Sequence, residues 1–149
     1  VSRGHTEQTN TPIIKSYIEL RYTPDPYIKS FFAQFSKTGR MIMRPLFVDF
    51  STADPNIVTW TNYNTNFTTQ QYMFGPRLLV TPITLPGVTT WQVYLPNTGA
   101  LGNLTKPWTY WWTNQNYADG QNVTISAPLA QIPLFYLGSR AEILSGNVF

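Results

Sequence analysis

Thr89-Thr90-Trp91-Gln92-Val93-Tyr94-Leu95 alternates around the inward-reading positions Trp91, Val93 and Leu95. A period of two is the mark of a strand with one buried face. The pattern repeats downstream. Leu78-Leu79-Val80-Thr81 runs into Pro82, and Asn122 to Ser126 alternates around Val123 and Ile125. Trp108 to Trp112 is aromatic, and Ile132 to Leu137 is apolar. Pro86-Gly87, Pro96-Asn97, Asp119-Gly120 and Ala127-Pro128 stand between these runs as turn signals. Several short strands at such spacing predict an antiparallel β-sandwich over residues 78–149.

Upstream the period changes. Tyr27, Ile28, Phe31, Phe32 and Phe35 fall on one helical face. Thr23 can cap that helix and Pro24 suits its first position. Gly39 stands where a C-terminal cap belongs. A shorter helix is expected over Ile13 to Tyr22, after a polar loop at residues 1–16. Met41 to Val48 reads as a mostly buried strand interrupted at Pro45. Residues 51–71 read as a long polar loop.

Composition narrows the function classes. The chain has 149 residues, enough for one domain or a piece of a larger one. Charged residues make up 11% against roughly 25% in an average soluble protein. The cations are scattered, so no basic footprint for nucleic acid exists. No run approaches the roughly 20 apolar residues of a membrane span. With no cysteine and a single histidine, the chain offers no thiol chemistry, disulfide or multi-histidine metal site. It begins Val1-Ser2-Arg3-Gly4-His5, without an initiator Met or signal peptide, and is expected to start inside a larger protein.

The residues alone reveal no reaction centre. Glu7, Glu19, Asp25, Asp49, Asp54, Asp119 and Glu142 form no acid/base pattern. Asp25 and Asp54 read as cap or turn residues beside prolines, Asp119 as a hairpin turn, and Asp49 as a solvated or salt-bridged loop acid. His5 reads as an exposed loop histidine. Trp108 to Trp112 reads as core, the competing reading being a platform for sugars or bases. Asn66, Asn103 and Asn122 open Asn-x-Thr sequons, candidate glycosylation sites that lend weak support to secretion.

Several segments line up with one family. Arg21-Tyr22-Thr23-Pro24-Asp25-Pro26-Tyr27, Gly39, Met43-Arg44-Pro45-Leu46-Phe47 and Gln71-Tyr72-Met73-Phe74-Gly75-Pro76-Arg77-Leu78-Leu79-Val80 resemble glycoside hydrolase family 31 in colinear order. Val93-Tyr94-Leu95-Pro96, Trp108 to Thr113, Ala127-Pro128-Leu129 and Ile132-Pro133-Leu134-Phe135 continue the match. The chain departs from the family at Pro24-Asp25, Tyr110, Leu137 and the long 51–71 segment.

The resemblance implies an α/β plus all-β fold. Residues 1–77 would be the C-terminal end of a (β/α)8 catalytic barrel, its last helix and strand, and 78–149 the proximal β-sandwich. It implies an α-glucosidase-type enzyme acting on α-linked glucosides, without a cofactor or metal. The catalytic aspartates would lie upstream, in the rest of the enzyme or on a separate chain. Ser2-Arg3-Gly4-His5 looks like the family's histidine loop. By resemblance, His5 and, more weakly, Arg3 bind substrate at the −1 sugar. A secreted or endomembrane, lysosome-like location is expected, on the three sequons. A reading from another class is a non-catalytic carbohydrate-binding or structural β-sandwich module, motivated by the tryptophan cluster.

Overall fold

A computed structural model describes residues 4–52, 54–58, 70–99, 101 and 107–146, with backbone alone for 4–9 and 58. The elements in chain order are α1 (Gly4–Tyr22), α2 (Asp25–Thr38), β1 (Met43–Pro45), α3 (Leu46–Phe50) and α4 (Pro55–Val58). There follow β2 (Tyr72–Phe74), β3 (Leu78–Val80), β4 (Thr90–Leu95), β5 (Trp108–Tyr110) and β6 (Asn116–Tyr117). The last are β7 (Gln121–Ser126), β8 (Leu134–Tyr136) and α5 (Arg140–Ser145). Among the described residues the strands form a six-stranded sheet ordered β1-β2-β3-β8-β5-β6 and a two-stranded sheet of β4 and β7. Every pairing is antiparallel.

The alternation of side chains explains the layers. β3 and β8 pair with Leu78 opposite Tyr136 and Leu79 opposite Phe135. Successive side chains leave a strand on opposite faces. Leu79 and Phe135 therefore join one core, and Leu78 and Tyr136 another. The first core lies between the two sheets. Trp91, Val93, Leu95 and Ile125 enter from the two-stranded sheet, and Met73, Trp108, Tyr110 and Phe135 from the six-stranded one. Burial of side chains this large contributes roughly 1.5–3 kcal/mol each. The second core packs Tyr27 and Phe31 of α2 and Ile143 of α5 against the other face. The expected strands within residues 78–149 are thus present, and they pair as a two-sheet arrangement.

Several expectations change. The polar loop at residues 1–16 is helical from Gly4 onward, with Pro12 inside α1. A proline there removes a helix hydrogen bond, so sequence reading places the start after it. The C-terminal half of α1 is anchored instead by tertiary contacts. The Tyr17 hydroxyl donates to the Ala130 carbonyl at 2.9 Å and accepts from the Ile132 N–H at 2.6 Å. Thr23 does not cap α2: its hydroxyl donates to the Glu19 carbonyl, and Pro24 is the N-cap residue. Gly39 caps α2 as expected, in the left-handed region at φ 68°.

The strand expected over Met41 to Val48 is only three residues long. Pro45 cannot donate to a ladder, and the chain turns into α3 after it. Leu46 and Phe50 stand four apart on that helix, both buried in the inter-sheet core. β1 also corrects the barrel-strand assignment. A (β/α)8 strand pairs in parallel with its neighbours, whereas β1 pairs antiparallel with β2. Residues 43–45 and 72–74 thus share a sheet with 78–80 and 134–136, across the division expected at residue 77.

Candidate functional site

His5 lies in the first turn of α1 rather than in a loop, and only its backbone is described. Arg3 lies outside the described residues. At 1.5 Å per residue, His5 is carried about 18 Å along the helix from the anchor at Tyr17. The structure thus places the backbone of this candidate on α1. Asn66 and Asn103 also lie outside the described residues, whereas Asn122 is exposed on β7.

An open groove of about 340 Å³ runs between α1 and the loops at Trp112 and Ala130-Gln131, beside Tyr17 and Leu20. Its one acid is Glu19. A retaining glycosidase needs two carboxylates about 5–5.5 Å apart, and the described lining of this groove supplies one.

The remaining described acids are structural. Asp49 sits on α3 with its side chain 2% exposed. It receives Arg44 Nε at 3.1 and 2.9 Å on its two oxygens, and Arg40 Nη2 at 2.7 Å. Of the two expected readings the salt-bridged one holds, but the acid is buried and stands on a helix rather than in a loop. Asp54 is buried and accepts from the Tyr94 hydroxyl at 2.6 Å and from the backbone N–H groups of Asn97 and Asn56. Burial, then that hydrogen bond, push the Tyr94 hydroxyl pKa well up. Asp119 accepts from the Thr98 N–H and hydroxyl, both at 2.7 Å, and those bonds hold its carboxyl below the usual range. Glu142 pairs with Arg77 and closes a capping box with Ser139. Asp25 pairs with Lys29, and Glu19 lies 3.9 Å from Lys15.

Sequence reading missed the Arg44 network. Arg44 is 4% exposed and donates to the Asp49 carboxylate, the Met41 carbonyl and the Gly75 carbonyl. Its signal was a lone cation within an apolar run, Met41 to Val48. The tryptophan cluster resolves as core: Trp108 and Trp111 are buried, with the Trp108 indole N–H donating to the Pro96 carbonyl. Trp112 is half-buried and ties its N–H to the Ile132 carbonyl. Neither buried tryptophan offers an open face to a sugar.

Among the described residues no group of acids and histidines could hold a metal ion, and no helix is long and apolar enough to cross a membrane. The chemistry expected of the chain thus depends on residues that the described part does not supply.

Residues 39–140 match the profile of the Glycosyl hydrolase family 31 C-terminal domain. The chain is 64% identical over 141 residues to α-xylosidase A of Aspergillus niger, covering 95% of this chain and 19% of that protein. It is 35% identical over 137 residues to an α-xylosidase of Saccharolobus solfataricus, covering 91% of this chain and 17% of the relative. A solved xylosidase from Aspergillus niger superposes with a TM-score of 0.86 at 64% identity, over 95% of this chain and 19% of that one. The chain thus spans about a fifth of the length of these relatives. By its profile match and these identities, the chain belongs to glycoside hydrolase family 31, and residues 39–140 are its C-terminal domain.

Proposed function

We propose that this chain is the C-terminal part of an α-glycosidase that acts on α-linked xylosides. The observation that carries the reading is the 64% identity to a protein named α-xylosidase A. In this reading the catalytic aspartates stand on a barrel upstream. α1 and α2 are helices of the barrel's closing segment, and His5, with Arg3 beside it, forms part of the wall around the −1 sugar. The xyloside replaces the α-glucoside expected from sequence. No cofactor enters the reaction. Secretion, or an endomembrane compartment, is the location we assign.

Two physical features support a piece that packs on a larger enzyme. The described acids are tied up in structural bonds, which leaves hydrolysis to residues elsewhere. The helices also carry apolar faces turned outward. Ile14, Ile18 and Tyr22 are 58%, 54% and 73% exposed at four-residue intervals along α1, and Phe32 on α2 is 59% exposed. A row of large apolar side chains at that spacing is one helical face. Contiguous apolar surface of this kind marks an interaction site. We assign the upstream part of the same enzyme as its partner.

The test uses the complete protein and two chromogenic substrates. A xyloside lacks the exocyclic hydroxymethyl group of a glucoside, so a pocket fitted to it excludes the larger sugar. kcat/KM for p-nitrophenyl α-xyloside should exceed that for the α-glucoside by about tenfold or more. His5→Ala should lower kcat/KM on the preferred substrate by roughly 10- to 100-fold, the loss of one charge- or sugar-directed hydrogen bond. A preference for the glucoside would restore the α-glucosidase reading. Sugar binding without turnover would favour the module reading. Unchanged kinetics in the His5 variant would remove that residue from the pocket.

A further inference from the structure

We propose that Asn122 carries an N-linked glycan, and that the glycan shields the outer edge of the two-stranded sheet. Asn122-Val123-Thr124 is a sequon whose middle residue is not proline. It lies wholly within β7, which among the described residues pairs only with β4. Asn122, Thr124 and Ser126 are exposed, whereas Ile125 is buried and Val123 packs against the inter-sheet core. The two recognition residues, Asn and Thr, thus project from one solvent face, as the strand period requires. No described residue hydrogen-bonds the Asn122 amide, so adding a sugar there breaks no recorded contact.

The edge itself argues for the modification. A six-residue edge strand presents unpaired backbone groups that can recruit another chain, and proteins blunt such edges with charge, proline or cover. β7 reads Gln121-Asn122-Val123-Thr124-Ile125-Ser126, without a charged residue or a proline. A bulky hydrophilic oligosaccharide would provide the missing protection. Asn122 pairs across the ladder with Tyr94, whose hydroxyl is covered by Asp54 and Asn56. Directly opposite residues leave a ladder on the same face, so the glycan would stand on the face that carries these groups, at the exposed position of Asn122.

The reaction is a transfer from a polyprenyl-diphosphate oligosaccharide in the secretory pathway. A bond forms between Asn122 Nδ2 and the anomeric carbon of the first sugar. The glycosyl–phosphate bond breaks, the lipid diphosphate leaves, and the amide gives up one proton.

The test is a mass measurement on the complete protein from its own source. Cleavage before aspartate separates the sites. Asp54 and Asp119 bracket Asn66 and Asn103, and the fragment beginning at Asp119 contains Asn122 alone of the three. That fragment should carry a hexosamine- and hexose-containing addition. Enzymatic release of the glycan in heavy-oxygen water should then leave a labelled aspartate at position 122. Asn122→Gln and Thr124→Ala should each abolish the addition, and Thr124→Ser should retain it. Recovery of the fragment only as unmodified asparagine would overturn the proposal. If Asn66 or Asn103 were occupied in that sample, the rest of the enzyme covers the edge; if all were bare, the chain does not meet the transferase.

Discussion

Replacing Arg44 by Met should destabilise the junction between β1, α3 and the β2–β3 turn far more than its single charge suggests. The guanidinium binds three structural pieces at once. Nε reaches the Asp49 carboxylate at 2.9 Å, Nη1 the Met41 carbonyl at 2.7 Å and Nη2 the Gly75 carbonyl at 3.2 Å. Both side chains of the ion pair are nearly inaccessible, at 4% and 2%. Methionine leaves a buried carboxylate whose one remaining cation, Arg40, is 54% exposed. Breaking a buried pair from one side costs about 3–5 kcal/mol. Arg40→Ala, removing an exposed partner, should cost no more than about 1 kcal/mol. The double variant Arg44→Met with Asp49→Leu should recover part of the loss, because no unpaired charge stays buried.

Hydrogen exchange is the suitable assay, because it reads local opening within a multi-element protein. The Gly75 N–H, bonded to the Ile42 carbonyl at 2.8 Å, reports on this junction. A cost of 3–5 kcal/mol corresponds to exchange faster by roughly 10²-fold or more, at about 1.4 kcal/mol per decade. Amides of β4 and β7 should change little, since they lie in the other sheet. Acceleration of less than about fivefold, or equal damage from Arg40→Ala, would refute the reasoning.

Gly75→Ala should also open this region. Gly75 has φ +72°, and a Cβ there would collide with the Tyr27 hydroxyl and the Phe31 ring. Strain and overpacking together should cost about 2–4 kcal/mol, read as a lowered thermal midpoint; a change within noise would show that Tyr27 can move aside. Asp119→Asn should flatten the acid side of the stability profile. Its folded carboxyl pKa is depressed by the Thr98 bonds. Its stabilisation is therefore present above the unfolded value of about 3.9 and is lost as pH falls through the lower folded value. Thermal midpoints measured below about pH 4 should then fall less steeply in the variant than in the parent, and parallel slopes would count against the Thr98 contact.

Local pattern and tertiary context divided the work unevenly. Residues 89–95 and 121–126 are legible as strands because their alternation is local, and the structure pairs them residue for residue, Trp91 opposite Ile125 and Val93 opposite Val123. The α2 helix is legible for the same reason, through its apolar face and its glycine cap. The family was also legible, since colinear motifs survive when individual positions drift.

The remainder depended on what the chain meets in space. α1 runs through Pro12 even though a local reading places a helix start after it. Leu46 to Phe50 has the composition of a strand but coils, because a helical turn sends both Leu46 and Phe50 into the core. Asp49 reads as a solvated or salt-bridged loop acid, and only the fold shows that the ion pair with Arg44 is buried. β1 looks like the end of a barrel until its antiparallel partner, 29 positions away at Met73 against Arg44, is known. The sequence by itself determined the family, the strands of the C-terminal half and the absence of thiol chemistry. Only the tertiary structure decided which strand pairs with which and where each charge is neutralised. Those outcomes depend on contacts between residues far apart in the chain, which no local period encodes.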